Sequence, residues 1–248
     1  MSADLVMRDE VAVVTMTGPR GNPLNEETCA ALIAAIADAI GGECRGLVLA
    51  GGDGIFSAGG DLAMLRAWQD LPPSRRVRGV MEGPQALSRA LLASPVPTVA
   101  AVDGAAAGAG MDLALVCDLR VATPRARLIA AYANVGLVPG NGGGWLLPRF
   151  VGLGRAMELL TTARPVPADE ALALGLVTRV VEGSVVDAAV DLARSVADSP
   201  VAAIRGVTYE GAGQAYHEHL GTAARWLGMV SSDDLHREKV RRLLGDDA

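Results

Sequence analysis

A glycine-rich turn between two apolar segments constrains the fold of this chain more than any other feature. The β-branched run from Pro97 to Val102 predicts a buried strand, and the apolar segment after Gly108, with Asp112 near its start, predicts a helix. A helix that begins at such a turn leaves backbone N–H groups without intrahelical acceptors at the positive end of its dipole. We therefore expect an oxyanion site at this turn, with Asp112 within one helical turn of it.

A second turn of the same kind lies earlier in the chain. Residues 54–62, Gly-Ile-Phe-Ser-Ala-Gly-Gly-Asp-Leu, follow a strand-like run at 46–50 and precede a helix-forming segment. Two turns that converge on one carbonyl oxygen would give it two backbone donors, which is the usual construction of an oxyanion hole. The sequence thus indicates a site that can stabilise an oxyanion.

Three segments in consistent order carry a family resemblance. They are Phe-Ser-Ala-Gly-Gly-Asp-Leu at 56–62, Ala-Val-Asp-Gly-Ala-Ala-Ala-Gly-Ala-Gly-Met-Asp-Leu-Ala at 101–114, and Val-Gly-Leu-Val-Pro-Gly-Asn-Gly-Gly at 135–143. From about residue 11 to 238 the chain resembles the enoyl-CoA hydratase/isomerase (crotonase) family. The resemblance implies an α/β fold, a ClpP-like spiral of ββα units over residues 1–195, followed by a C-terminal helical extension over 196–248 that forms trimers, often paired into hexamers.

Composition agrees with a soluble acyl-CoA enzyme and excludes other classes. The net charge is −6 and Lys239 is the single lysine, which argues against a nucleic-acid surface. Three cysteines without paired spacing, and no signal peptide or long apolar run, predict reduced thiols in a cytoplasmic protein that does not engage membranes. We expect no metal and no cofactor other than the coenzyme A of the substrate.

The elements predicted along the chain begin with a strand at 11–17 and a helix that Asn25 caps and Gly41-Gly42 ends. Residues 72–76, Pro-Pro-Ser-Arg-Arg, are predicted as a mobile polar loop, and the resemblance places that region over the acyl pocket. Strand–strand–helix units are expected to about residue 162. Further elements are predicted as a helix at 168–174, a strand at 176–181, and helices near 185–198, 201–212 and 214–230.

The resemblance also assigns site residues. It makes the N–H groups of Gly60 and Ala109 the oxyanion donors and places Asp112 and Tyr132 where family hydratases carry two glutamates. Asp is a methylene shorter, about 1.5 Å less reach, and a tyrosine with a pKa near ~10 is a poor general base, so a two-carboxylate mechanism is not available. Asp112 is then the expected acid/base, or simply a helix N-terminal acid favoured by the dipole. Tyr132 is expected to line the pocket and position water or substrate.

The expected substrate-binding residues are Leu24, Ala58, Gly60, Asp61, Leu62, Ala63 and Ala109. Residues 241–248 do not match the family's basic Lys-Arg-x-Pro-x-Phe segment, so we expect no such contribution to coenzyme A binding.

Three functions remain open at this point. The first is hydration or isomerisation of an enoyl-CoA, the second is another enolate reaction such as decarboxylation of a malonyl-type CoA, and the third is acyl-CoA binding without catalysis. The family's dehalogenase branch is disfavoured, because its nucleophilic aspartate would fall near Gly140. The glycine spacing does not match dinucleotide or P-loop fingerprints, and His217 and His219 point to different helix faces, which argues against a metal site.

Overall fold

The computed structural model describes residues 2–244. The chain divides into two compact units, Met1–Arg194 and Ser195–Ala248. The strands are β1 (Ala3–Arg8), β2 (Val11–Met16), β3 (Pro23–Leu24), β4 (Gly46–Gly51), β5 (Gly59–Gly60), β6 (Thr98–Val102), β7 (Ala105–Ala107), β8 (Leu119–Ala122), β9 (Arg127–Ile129), β10 (Pro165–Pro167) and β11 (Arg179–Val180).

The helices of the first unit are α1 (Glu26–Gly41), α2 (Leu62–Trp68), α3 (Pro73–Glu82), α4 (Pro84–Leu92), α5 (Ala109–Val116), a 3-10 helix (Ala131–Val135), α6 (Gly143–Val151), α7 (Leu153–Thr162), α8 (Ala168–Ala173) and α9 (Val185–Ser195). Those of the second unit are α10 (Val201–Gly211), α11 (Tyr216–Val230) and α12 (Asp234–Leu244).

A six-stranded sheet organises the first unit. Its order is β1-β2-β4-β6-β8-β11, parallel except for the antiparallel β1 at one edge. The short strands form two further sheets, β3-β5 and β10-β9-β7. The chain therefore repeats one unit, in which a strand of the six-stranded sheet is followed by a short strand of a smaller sheet and then by a helix. The units are β2-β3-α1, β4-β5-α2 and β6-β7-α5, and they match the strand–strand–helix repeat predicted from the sequence.

The core of this unit is aliphatic rather than aromatic. Strands buried on both faces of a parallel sheet carry continuous apolar runs, as β6 does with all five of its residues buried. Valines and alanines of β2, β4, β6 and β8 pack with the buried face of α9 in one cluster. Small side chains allow the turns that follow the carboxyl ends of β4 and β6 to approach one another closely. These two turns form part of the candidate site.

Helix α1 begins as predicted. The Asn25 side chain accepts from the Thr28 N–H at 3.0 Å, and the Thr28 hydroxyl accepts from the Asn25 N–H at 2.9 Å, so the cap is reciprocal. Cys29, Leu32 and Ile36 form its buried face.

Two sequence predictions are wrong in this unit. Residues 72–76 are not a loop, because α3 begins at Pro73, where the fixed φ of proline suits a first helical position. The strand predicted at 176–181 is only Arg179–Val180, since the N–H groups of Leu176 and Val177 turn back to the Ala171 carbonyl.

The second unit consists of helices, as expected. An apolar groove between α10 and α11 is lined by Pro200, Ala203, Ile204, Val207, Ala223, Ala224, Trp226, Leu227 and Val230. Residues 241–244 belong to α12, and the remaining predicted tail residues, 245–248, lie outside the described part. Among the described helices, none combines the length and apolar character needed to span a bilayer.

Candidate active site

The two glycine-rich turns lie side by side. The N–H groups of Phe56 and Ser57 both donate to the Ala105 carbonyl at 3.0 Å, and the Ala107 N–H donates to the Ser57 carbonyl at 2.8 Å. Gly59 has φ +87°, and a Cβ added there would collide with the Ala107 carbonyl and lie 3.2 Å from the Ala109 nitrogen. The convergence of the two turns therefore depends on glycine at position 59.

Residues from both turns line one cavity. Ala109 is the first residue of α5, so its N–H has no acceptor within the helix. The Asp61 N–H donates to Leu24 at 3.2 Å, and because successive N–H groups of extended chain point to opposite sides, the Gly60 N–H is directed away from Leu24. Gly60 and Ala109 both line the cavity, as the oxyanion-hole hypothesis requires.

The cavity has a volume of about 450 Å³ and a predominantly apolar wall. Helices α2 and α3 form one side of it through Leu65, Trp68, Val77, Val80 and Met81. The 3-10 helix and the segment after it form the other side through Tyr132, Val135, Leu137, Val138, Gly140 and Asn141. An apolar cavity with a few convergent polar groups is typical of a small-molecule site.

Asp112 lies behind the wall rather than on it. It is 2% exposed, and its Oδ2 accepts from the Tyr132 hydroxyl at 2.6 Å and from the Gly143 N–H at 3.0 Å. Burial raises the pKa of the Asp112 carboxyl to about 6, and the hydrogen bonds from Tyr132 and Gly143 act in the opposite direction. Because Gly143 is the first residue of α6, the carboxylate lies at the N-terminus of that helix, where the helix dipole favours the ionised form.

Tyr132 forms the cavity-side member of this pair. Burial raises the pKa of its hydroxyl, and the Asp112 charge and hydrogen bond raise it further. The phenol is therefore protonated at neutral pH and donates to Asp112. The sequence placed these two residues in one site, and the structure adds that Tyr132 stands between Asp112 and the cavity.

The predicted substrate-binding residues separate into two groups. Ala58, Gly60, Leu62 and Ala109 line the cavity. Leu24, Asp61 and Ala63 are not among its described lining residues. Leu24 is buried and pairs with Gly60, while Asp61 caps α2 by accepting from the Ala63 N–H at 2.7 Å.

Sequence reasoning missed three parts of this site. Residues 72–76, which include the start of helix α3, were predicted as a loop, although the spacing of Val77, Val80 and Met81 just after them is that of one helix face. Gly143 was read only as part of a motif, yet a Cβ there would collide with the Asp112 Oδ1. Asn141, which lines the cavity at 6% exposure, gave no signal beyond its position beside Gly140.

Comparison with known proteins agrees with this geometry. A family model described as enoyl-CoA hydratase/isomerase matches residues 7–227. The chain belongs to the enoyl-CoA hydratase/isomerase family. The peroxisomal bifunctional enzyme of Danio rerio is 35% identical over 205 residues, which are 82% of this chain and 27% of that protein. The short-chain-enoyl-CoA hydratase of Clostridium acetobutylicum is 36% identical over 198 residues, 78% of this chain and 74% of that protein.

The fold of this hydratase/isomerase family member is also shared with solved structures. An enoyl-CoA hydratase from Polaromonas sp. JS666 superposes with a TM-score of 0.91 at 29% identity, over 98% of this chain and 97% of that one. The predicted crotonase-type α/β fold is therefore confirmed. The chain spans about a quarter of the multifunctional relatives, such as the fatty acid beta-oxidation protein of Brassica napus, of which it covers 24%.

Proposed function

We propose that this protein hydrates or isomerises the C2–C3 double bond of an enoyl-CoA thioester. The supporting observation is that Gly60 and Ala109, from the two glycine turns, and Tyr132 line one apolar cavity, and that Tyr132 is hydrogen-bonded to Asp112 behind its wall. Names of relatives that this chain covers for most of their length, such as the hydratase of Clostridium acetobutylicum, support the same substrate class. The reaction needs no cofactor beyond the coenzyme A of the substrate.

In this mechanism the thioester carbonyl accepts from the N–H groups of Gly60 and Ala109. Charge that develops on the carbonyl oxygen as C3 is attacked is then stabilised by fixed donors that need no reorganisation. Because the donors are backbone groups, the methyl of Ala109 does not remove one. The result is a stabilised thioester enolate.

Proton transfer would pass through Tyr132 to Asp112. As the water oxygen bonds to C3, its proton moves to the Tyr132 oxygen while the Tyr132 proton moves to Asp112. The Asp112 proton then returns to the Tyr132 oxygen while the Tyr132 proton moves to C2 of the enolate. Water is thereby added across C2 and C3. Asp112 acts as the acid/base through the phenol, because it does not itself line the cavity.

The replacement Asp112→Asn tests this role. The amide is isosteric but cannot take the proton, so hydration of crotonyl-CoA should fall by about a hundredfold or more while affinity for acetyl-CoA is retained. Asp103→Asn is the matched control, because that carboxylate pairs with Thr123 and Arg125 away from the cavity. Undiminished hydration by Asp112→Asn would exclude the relay.

Decarboxylation of a malonyl-type CoA is the second candidate, and the apolar wall supports it. Desolvation of a substrate carboxylate together with the oxyanion hole would suffice, with no base. Asp112→Asn separates the two reactions, because decarboxylation of malonyl-CoA would persist in that variant.

We also propose that the second unit mediates assembly into a trimer or a pair of trimers. Ile204 and Leu227 are large apolar residues in its groove, at 51% and 71% exposure. A cytoplasmic location remains a prediction, supported by three buried free cysteines, Cys29, Cys44 and Cys117.

A further inference from the structure

We propose that Asn25 is a positioning residue for the oxyanion hole: its side-chain amide holds Asp61 and, through Asp61, keeps the backbone N–H of Gly60 in the direction that polarises the thioester carbonyl. This inference rests on the proposed function and adds to it a residue outside the cavity. Asn25 and Asp61 are not among the described lining residues, so they act on the chain beside the donor and not on the substrate.

The Asn25 side chain joins the starts of two helices. Its Oδ1 accepts from the Thr28 N–H at 3.0 Å at the start of α1, and its Nδ2 donates to the Asp61 Oδ2 at 2.9 Å. The other oxygen of Asp61 accepts from the N–H groups of Ala63 at 2.7 Å and Met64 at 3.2 Å, at the start of α2. Each polar atom of the two side chains therefore has a partner, and the pair is held in one orientation.

The donor residue lies between two residues that are fixed by hydrogen bonds. Before it, the Gly59 N–H donates to the Ser57 Oγ at 3.1 Å. After it, the Asp61 N–H donates to the Leu24 carbonyl at 3.2 Å. The direction of the Gly60 N–H follows from the peptide plane between residues 59 and 60, so it depends on both of these anchors.

The backbone pairing at this point is slight. Strands β3 and β5 have two residues each, and Pro23 in β3 has no N–H to donate. A strand pair of this size is marginal without other contacts. Gly60 has no side chain to pack and has the wide conformational freedom of glycine. The Asn25–Asp61 hydrogen bond therefore supplies a restraint that the two-residue strands do not.

The charge of Asp61 strengthens this hydrogen bond. The bond from Asn25 lowers the pKa of the Asp61 carboxyl, burial opposes that effect, and the N–H groups of Met64 and Ala63 lower the pKa further. A carboxylate accepts a stronger hydrogen bond than a neutral oxygen does. A second carboxylate at position 25 would replace this attraction by repulsion with almost no change of shape.

The test exchanges the two side chains. Asn25→Asp keeps the shape of residue 25 and its cap of α1, because aspartate caps helices as well as asparagine does, but it sets two carboxylates against each other. The double variant Asn25→Asp/Asp61→Asn restores the hydrogen bond with donor and acceptor exchanged and keeps both caps. Ser184→Ala is the control for lost stability, since it removes a comparable bond to the Asp187 N–H at the start of α9.

The carbonyl itself reports on the donor. Butyryl-CoA labelled with ¹³C at the thioester carbonyl cannot be hydrated, and its resonance should move downfield on binding to the wild-type protein, because hydrogen bonds to the oxygen draw electron density from the carbon. Asn25→Asp should lose about half of this shift or more and lower kcat for crotonyl-CoA hydration by about tenfold, with butyryl-CoA affinity kept within about threefold. The double variant should recover the shift and kcat, and Ser184→Ala should retain them.

Several outcomes overturn the inference. Equal carbonyl shifts in the wild-type and Asn25→Asp proteins remove the role of Asn25 and leave the proposed function intact. A wild-type protein that does not bind butyryl-CoA, or binds it without moving the resonance, removes both. A loss in Asn25→Asp that the double variant does not recover, or that Ser184→Ala shares, assigns Asn25 to packing or to stability alone. If Asn25→Asp does not fold, Asp61→Asn decides, because it leaves two amides facing each other, and an undiminished shift in that variant contradicts the inference.

Discussion

At the scale of single residues, the site depends on a carboxyl group that water does not reach. The pKa of Asp112 is higher than that of an exposed aspartate because burial removes the hydration of the ionised form. The hydrogen bonds from Tyr132 and Gly143 offset this effect only in part. Tyr132 connects that carboxyl to the cavity. The acid/base function of the pair is therefore tied to the ionisation of one buried group.

We expect kcat/KM for enoyl-CoA hydration to rise with pH through about 6, because Asp112 must be ionised to receive a proton. Rate profiles of the wild-type protein between pH 5 and 9 measure this midpoint. Tyr132→Phe removes the hydroxyl that relays the proton and a hydrogen bond that lowers the pKa of Asp112, so hydration should be lost and the Asp112 carboxyl should titrate at a higher pH than in wild type. Carboxyl NMR titration measures the second effect, and hydration by Tyr132→Phe at the wild-type rate would contradict the relay.

The same shift predicts an effect on stability that serves as an independent control. A carboxyl whose pKa rises from 3.8 to about 6 on folding stabilises the fold below 3.8, and this stabilisation is lost as the pH rises through 6. At pH 8 the free energy of unfolding of Asp112→Asn should therefore exceed that of the wild-type protein by about 3 kcal/mol at most. This difference should vanish towards pH 4. Urea titrations at the two pH values measure it.

At the scale of elements, the start of α6 holds the acid in place. Gly143 donates its N–H to Asp112 and leaves room for the carboxylate oxygen. The turn from Gly140 to Gly143 also carries Asn141 on the cavity wall. One short segment thus contributes both a hydrogen bond to the Asp112 carboxylate and a polar side chain to the cavity wall.

Gly143→Ala should displace the Asp112 carboxylate, since the added Cβ would overlap its Oδ1. We expect a loss of about a hundredfold in kcat and a destabilisation of about 1–3 kcal/mol. Gly154→Ala in α7 is the matched control, because a Cβ there meets no atom within 4 Å. Steady-state kinetics and thermal unfolding of both variants provide the comparison, and near-wild-type turnover by Gly143→Ala would contradict this account of α6.

Local chemistry explains which elements could be predicted from the sequence. The Asn25 cap and the turns around Gly59 and Gly108 are visible because each is encoded within a few residues. The helix from Pro73 was missed because consecutive prolines were taken as a break, although proline suits the first turn. The contact between Asp112 and Gly143 and the hydrogen bond from Asn25 to Asp61 could not be predicted, since each depends on segments brought together only by the completed fold.

At the scale of the whole molecule, the second unit presents apolar surface that a monomer would leave in water. The groove between α10 and α11 is lined almost entirely by alanine and larger apolar residues. Exposed contiguous apolar patches usually mark interaction sites. The predicted trimer or hexamer would bury this groove.

Light scattering of the wild-type protein at micromolar concentration should give the mass of a trimer or a hexamer. Leu227→Asp places a charge in the groove and should lower the mass. Met229→Asp is the control, because Met229 is 55% exposed on the same helix and lies outside the groove lining. A wild-type monomer would contradict the prediction, and equal loss of assembly in both variants would contradict the choice of interface.

The tight fit between Asp112 and Gly143 has a consequence for how this site can diverge. A glutamate at position 112 would add a methylene where a Cβ on Gly143 already finds no space, so the longer acid cannot be accepted without movement of the start of α6. Exchange of aspartate for glutamate is therefore epistatic with the 140–143 segment. In evolution or in the laboratory, residue 112 and the 140–143 segment must change together. Replacement of aspartate by glutamate at position 112 therefore requires remodelling of that segment as well as the single substitution.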